Sequence, residues 1–234
     1  VPSPEQAPTP EAKHLAEQAQ LPADRNRAYY AKNRELHRSV VLRLTEQIRN
    51  CILVHQQPHA RVARSGSLDP VRVWRAPVLD DARVFRCAEE ENQPAFTVDL
   101  LLDASASRLH CQEVIAAQGA ILAESLSRCH IPVRVSSFCS LSGYTVVTRY
   151  RDYYETGKND RIFNYFTTGC NRDGLAIRAL AKGLEDSPSE HKLVILLSDV
   201  KPNDVIQMNH SGSFVEYAAD NGIQNTAMEI RSLT

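Results

Sequence analysis

The pattern of hydrophobic and polar positions changes rhythm three times along the chain. Over residues 25–56, apolar side chains recur at steps of three and four: Tyr30, Leu36 or His37, Val40, Val41, Leu44, Ile48, Cys51 and Ile52. That period places them on one face of a long amphipathic helix, with Asp24 as its N-cap and Pro58 beyond its end. An isolated helix is marginal, so Val40, Leu44, Ile48 and Ile52 are expected to be buried against the rest of the protein. Upstream, residues 1–24 are rich in Pro, Ala, Glu and Gln. They read as a disordered segment or linker, with at most a short helix over Glu11 to Gln20. Downstream, Val71 to Trp74 and Arg83 to Cys87 alternate briefly, as a hairpin or as a helical turn followed by a strand. Trp74 and Phe85 are the expected anchors of this appendage, and Glu89 to Pro94 marks its boundary.

From Phe96 the rhythm is that of an α/β domain. Strands are expected at 97–103, 133–139, 144–150 and 193–198, and helices at 107–129, 174–186 and from about 222 onward, with a short helix near Arg161 to Phe166. The SLSG turn makes the second and third strands an antiparallel pair, and KPNDVIQMNHSGSF reads as a long polar loop. The expected fold class is therefore α/β, a doubly wound and mostly parallel sheet with an N-terminal helical extension. The divisions are 1–24 (linker), 25–95 (extension) and 96–234 (α/β domain).

Charge narrows the function classes. The net charge is −1 over 234 residues and neither sign forms a block, which argues against a nucleic-acid surface or a polybasic membrane patch. No apolar run approaches the roughly 20 residues that span a bilayer. The first residues lack the basic start and apolar middle of a signal peptide, and the numbering is read as beginning inside a longer protein. Cys51, Cys87, Cys111, Cys129, Cys139 and Cys170 form no CxxC pair and read as free thiols of a reducing, cytoplasmic compartment.

Candidate chemistry starts where the first strand ends. In FTVDLLLDASAS an apolar run stops at Asp103, with Ser105 and Ser107 at alternate positions. Residues two apart in an extended chain point the same way, and one carboxylate with two hydroxyls suits a hard cation. Ser107 would equally serve as the N-cap of the next helix, so both readings stand on these residues alone. The apolar strand LVILLSD ends in a second acid, Asp199. Ligands of doubly wound sheets bind outside the carboxyl ends of the strands, where three loops gather here: DASAS, GCNRDG and SDVKPND. Two carboxylates sharing that crevice would repel unless a cation joins them. Lys201, Asn203 and Asp204 are candidate rim residues. His110 and His130 flank the 107–129 helix and support no Ser–His hydrolase. No phosphate cradle is visible for a phosphoryl-transfer enzyme.

The order D-x-S-x-S, then G-x-N-x-x-G-x-A-I over Gly169 to Ile177, then an apolar strand ending in Asp resembles the metal-ion-dependent adhesion site of von Willebrand factor A domains. GSLDPVRVWR (Gly66 to Arg75), VFRC (Val84 to Cys87), NRDGLAIR (Asn171 to Arg178) and LSDVKPND (Leu197 to Asp204) are similar, more narrowly, to nitric oxide reductase activation proteins and the related cobaltochelatase subunit. The resemblance implies a Mg²⁺ or other divalent-cation site made by Asp103, Ser105, Ser107, Asn171, Asp173 and Asp199. It implies a non-enzymatic interaction module whose partner is an AAA+ ATPase of the MoxR type, acting in the assembly or activation of a metalloenzyme. The alternative is a non-catalytic subunit of an ATP-dependent, cobaltochelatase-like complex. Three positions depart from the pattern: Ala106 and Val200 stand where Gly is usual, and Asn171 where Thr is usual. The resemblance also implies six strands in the order 3-2-1-4-5-6. Only four are countable, so the sheet is expected to be incomplete at its C-terminal end. The strand at 193–198, apolar enough to read as central, would then have an edge to be covered by the 71–87 segment or by another chain.

Overall fold

The computed structural model describes residues 10–55, 60–88, 96–141, 144–185, 187, 189, 191–208 and 214–233. They divide into two compact units, one formed by residues up to Glu46 together with Phe96 onward, the other by Gln47–Ala95. The division falls inside a helix, so the extension foreseen over 25–95 is split between the two units.

The N-terminal region corrects the expectation of a linker. Helix α1 runs over Pro10–Lys32 and α2 over Arg34–His55. Asp24 therefore lies inside α1 and caps nothing, Pro22 is accommodated within the helix, and residues 1–9 lie outside the described residues. The physical reason is packing. Ala19, Ala23 and Asn26 form a buried stripe of small side chains at helical spacing, and tertiary burial outweighs the composition. The residues buried on α2 are His37, Val41 and Thr45, whereas Val40 is 41% exposed, and Leu44, Ile48 and Ile52 are half-buried.

In the unit Gln47–Ala95, β1 (Ala60–Ala63), β2 (Ser67–Leu68) and β3 (Phe85–Ala88) form an antiparallel sheet in the order β1-β3-β2, and α3 covers Arg75–Leu79. Its fixed point is the buried Asp69, which accepts hydrogen bonds from Arg86 Nε at 2.9 Å and from the Val71 amide at 3.1 Å. The Arg86 bond holds this carboxyl below its ordinary value. Trp74 is 51% exposed and lies beside the Arg75 guanidinium, in a turn over Val71 to Trp74 that leads into α3 and then β3, the second of the two arrangements the pattern allowed. The expected boundary at Glu89 to Pro94 and the position of Pro58 fall outside the described residues.

The larger unit is mixed α/β. Its sheet contains β4 (Phe96–Asp103), β5 (Val133–Leu141), β6 (Tyr144–Arg151) and β7 (His191–Leu197), in the order β6-β5-β4-β7. β4 runs parallel to β5 and β7, and β5 pairs antiparallel with β6. The Ser142 and Gly143 turn between them lies outside the described residues. All four strands agree with the sequence pattern. The free edge expected of the 193–198 strand is also present: β7 pairs with β4 alone among the described residues and Leu193 is 48% exposed, while the 71–87 segment expected to cover it belongs to the other unit. Where a loop was expected, β8 (Asn203–Met208) and β9 (Phe214–Ala218) pair antiparallel.

The pleat of β4 distributes its side chains to two helical layers. Helix α4 spans Gln112–Arg128, α5 spans Asp173–Leu184 and α6 spans Ala219–Leu233. Leu102 faces α4 at Gly119, where an added Cβ would come within 3.2 Å of the Leu102 Cδ1. Leu101 faces the other way and packs with Phe138 of β5 and Ala176 and Leu180 of α5. By alternation Asp103 is on the face of Leu101, the face that α5 covers.

One polar side chain fastens α1 to this unit. Asn26 Nδ2, fully buried, donates to the Phe163 and Tyr165 carbonyls at 2.8 and 2.7 Å. Replacing it leaves both acceptors without this donor, so Asn26→Ala should lower the free energy of unfolding by about 2 to 4 kcal/mol. Truncating the exposed Leu36 should cost under about 0.5 kcal/mol. Urea unfolding of the two variants checks the contrast.

Candidate metal centre

The site is built at the carboxyl ends of β4 and β7. Asp103, the last residue of β4, is fully buried. Its Oδ1 accepts from the Ser105 amide at 2.9 Å and its Oδ2 from the Ser198 hydroxyl at 3.1 Å. Past the strand the chain enters a 3-10 helix, Ala106–Cys111, ahead of α4. Ser107 lies inside that turn and makes no capping bond. Its hydroxyl is instead 3.0 Å from that of Ser105. Of the two roles open for Ser107, capping is therefore the one the geometry removes. Ala106 takes no left-handed conformation, whereas Val200 does, with φ 56°. The Gly usual at the latter position would be free of that strain.

The other two loops are stitched to the first. The Thr168 amide donates to the Ala104 carbonyl at 2.7 Å and the Ala106 amide to the Gly169 carbonyl at 2.9 Å. Gly169 has φ +66° and passes so close to Ser140 that a Cβ would stand 2.3 Å from its carbonyl oxygen. Asn171 pairs through its backbone with Asn203, at 3.0 and 3.1 Å. The Asn171 Oδ1 also accepts from the Asn203 amide at 3.0 Å, and its Nδ2 donates to Asp173 Oδ1 at 3.0 Å. Asp173 opens α5, where the helix dipole favours an acid.

The six residues expected at the site are thus gathered at one end of the sheet, in two tiers. Ser105, Ser107, Asn171 and Asp199 line a cavity of about 430 Å³, with Lys201 and Asn203 on its wall. Asp103 and Asp173 are not part of that lining. The carboxylates are close enough to act on one another: burial, then the charge of Asp103, then that of Asp199 push Asp173 up to about 6. Asp173 Oδ2 is buried without a hydrogen-bond partner. Asp103 also acts on its neighbours, adding to the burial that raises the Cys139 thiol to about 11 and the Tyr165 hydroxyl further still. Among the described residues no three His, Cys, Asp or Glu side chains stand close enough to form a chelate by themselves. The donors on offer are carboxylate, hydroxyl and amide oxygens, a set that fits a hard cation keeping some of its waters.

Three residues not singled out from the sequence belong to this arrangement. Ser198 holds Asp103. Tyr165 donates its hydroxyl to the Asp103 carbonyl. Arg108 forms an ion pair with Asp199. Ser198 and Arg108 each adjoin an expected ligand, which is the signal the sequence carried. Tyr165 is 62 residues from Asp103 and had none. Among the proposed rim residues, Asp204 faces inward to a buried ion pair with Arg172. Cys51, Cys111, Cys129, Cys139 and Cys170 are free thiols, and the Cys87 side chain is outside the described residues.

No family model and no curated protein sequence matches the chain. A crystal structure of the pilus adhesin SpaC from Lactobacillus rhamnosus GG, in its open conformation, superposes with a TM-score of 0.46 at 14% identity. The superposition covers 61% of this chain and 23% of the adhesin. That likeness is too slight to carry an argument about either fold family or function. Among the described residues no helix is long and apolar enough to cross a membrane.

The electrostatics of Asp173 have a testable sign. Its folded value, about 6, lies above the ordinary 3.8, so the folded chain holds the proton more tightly than the unfolded one. Its contribution to stability is then lost as pH rises from about 4 through 6. Asp173→Asn removes the buried charge. In cation-free buffer at pH 7.5 it should stabilise the fold by roughly 1 to 3 kcal/mol, with the advantage gone by about pH 4. Thermal melts at the two pH values with a chelator present check this.

Proposed function

We propose that the crevice binds a divalent cation, Mg²⁺ in the cell, and that the chain is a von Willebrand A-type module that recognises a protein partner through it. The observation that carries the reading is that Asp103 and Asp199, at the ends of two parallel strands, both act on Asp173 in the first turn of α5, one of whose carboxylate oxygens is buried and unpartnered. Asp103, Ser105 and Ser107 would supply oxygens from the first loop, and Asp199, Asn171 and Asp173 would act directly or through water. When bound, the cation would leave a coordination position open toward the cavity for an oxygen of the partner.

The resemblance of the loop motifs adds the rest of the reading. The partner is an AAA+ ATPase of the MoxR type, the compartment is the cytoplasm, and the pair acts in assembling or activating a metalloenzyme. The module itself is non-catalytic.

Two measurements test the proposal. Mn²⁺ binding followed by calorimetry should weaken at least about tenfold in Asp103→Ala, since a removed carboxylate is a removed charge–charge contact. Immobilised protein should capture an AAA+ ATPase from a lysate of the source cells with Mg²⁺ present, and lose it with EDTA or in Asp103→Ala. Equal capture in all three conditions would sink the metal-dependent reading. Release of phosphate from a generic phosphomonoester, abolished by Asp103→Ala, would sink the non-catalytic one.

A further inference from the structure

Asp199 and Ser107 are held by a cation that the protein itself supplies. Arg108 follows Ser107 in the 3-10 turn and donates from one terminal nitrogen to Asp199 Oδ2, while its Nε points at the Ser107 hydroxyl at 3.4 Å. The two side chains of the ion pair are 17% and 19% exposed, shielded enough that bulk water screens the pair only in part. The other oxygen of Asp199, Oδ1, accepts from the Lys201 amide at 3.3 Å. Each carboxylate oxygen of Asp199 thus already has a donor, and the Ser107 hydroxyl is shared between Ser105 and Arg108.

A guanidinium has only N–H donors and cannot join a coordination shell as a ligand. A divalent cation drawing on Asp199 competes with the guanidinium for the same negative charge, and at such close range it repels the guanidinium. We propose that Arg108 is the built-in competitor of the cation at this site. Cation binding displaces the guanidinium from Asp199, and the strength of the Arg108–Asp199 pair sets the cation affinity. This inference rests on the cation-site reading above and adds a residue to it that none of the loop motifs contains. Displacement also has a direction. The freed guanidinium belongs to the turn that carries Ser107, a residue of the 430 Å³ cavity wall. The cation-loaded site therefore offers a partner a second positive group that the empty site does not.

The opposite role is the alternative: by orienting Asp199, Arg108 could assist the cation as a positioning residue. The two roles predict effects of opposite sign. Mn²⁺ binding should be measured by calorimetry on the intact chain, on Arg108→Gln and on Lys201→Gln. Lys201→Gln controls for removal of a nearby positive charge whose contact with Asp199 is made only by its main-chain amide. Competition predicts that Arg108→Gln tightens Mn²⁺ about tenfold, within the ordinary range of site coupling, and that Lys201→Gln changes it several-fold less. In the unaltered protein, the Arg108 side-chain N–H resonance should lose its hydrogen-bonded shift as Mg²⁺ is added, with the same midpoint as binding. Equal or weaker binding by Arg108→Gln, or an unmoved Arg108 resonance at Mg²⁺ saturation, overturns competition and leaves the cation site standing. Absence of cation binding by the unaltered protein and by Arg108→Gln alike overturns both.

Discussion

The burial of the Asp103 carboxylate at the end of the central strand is the constraint from which the rest of the site follows. A charge removed from water is tolerable only when hydrogen bonds and opposite charge replace its hydration. Two bonds are supplied locally, from the Ser105 amide and the Ser198 hydroxyl. The remaining field is felt by the neighbours: Cys139, Tyr165 and Asp173 are all pushed toward their protonated forms, with Asp103 among the causes. Burial, with the charge of Asp103 added to it, raises the Cys139 thiol to about 11, and such a thiol is no nucleophile at neutral pH.

The scaffold can hold such a charge because three loops brace one another. Parallel strands end on the same side of the sheet, and the strand-end loops there are cross-linked by main-chain hydrogen bonds from Ala104 to Thr168, Ser140 to Cys170 and Asn171 to Asn203. Helix α5 begins in the middle loop and points its amino end at the crevice. Gly174, in the first turn of α5, lets Asn225 of α6 approach so closely that a Cβ would stand 2.0 Å from its Oδ1. Rigid placement of oxygens is what separates a cation site from a group of acids that move apart to relieve repulsion.

Charge in the crevice is unevenly matched. Asp103, Asp173 and Asp199 act together, while the ion pair they make runs from Asp199 to Arg108. Of the other cations close by, Arg172 is engaged by Asp204 in a buried pair. The mutual repulsion of these carboxylates adds to the burial that raises the pKa of Asp173. A divalent ion would relieve it, and the cost of loading one is the rupture of the Arg108 contact. On the proposal made above, affinity would be a difference between two ion pairings of the same carboxylate, and a single arginine would tune it.

Local information in the sequence was enough for the four core strands and for the helices of the α/β domain, because each rests on a short-range signal, pleat alternation or helical period. Tertiary contact decided what local pattern could not. Residues 10–24 are helical because Ala19, Ala23 and Asn26 find a surface to bury against, and composition alone carries no record of that surface. The buried side of α2 runs through His37, Val41 and Thr45 and leaves Val40 exposed, because the surface a helix meets decides which flank of its apolar stripe is covered. Arg108 and Tyr165 joined the site through contacts spanning 91 and 62 residues. Interactions over such separations exist only once the sheet has brought its strand ends together, so the donors could be read from the chain while their partners could not.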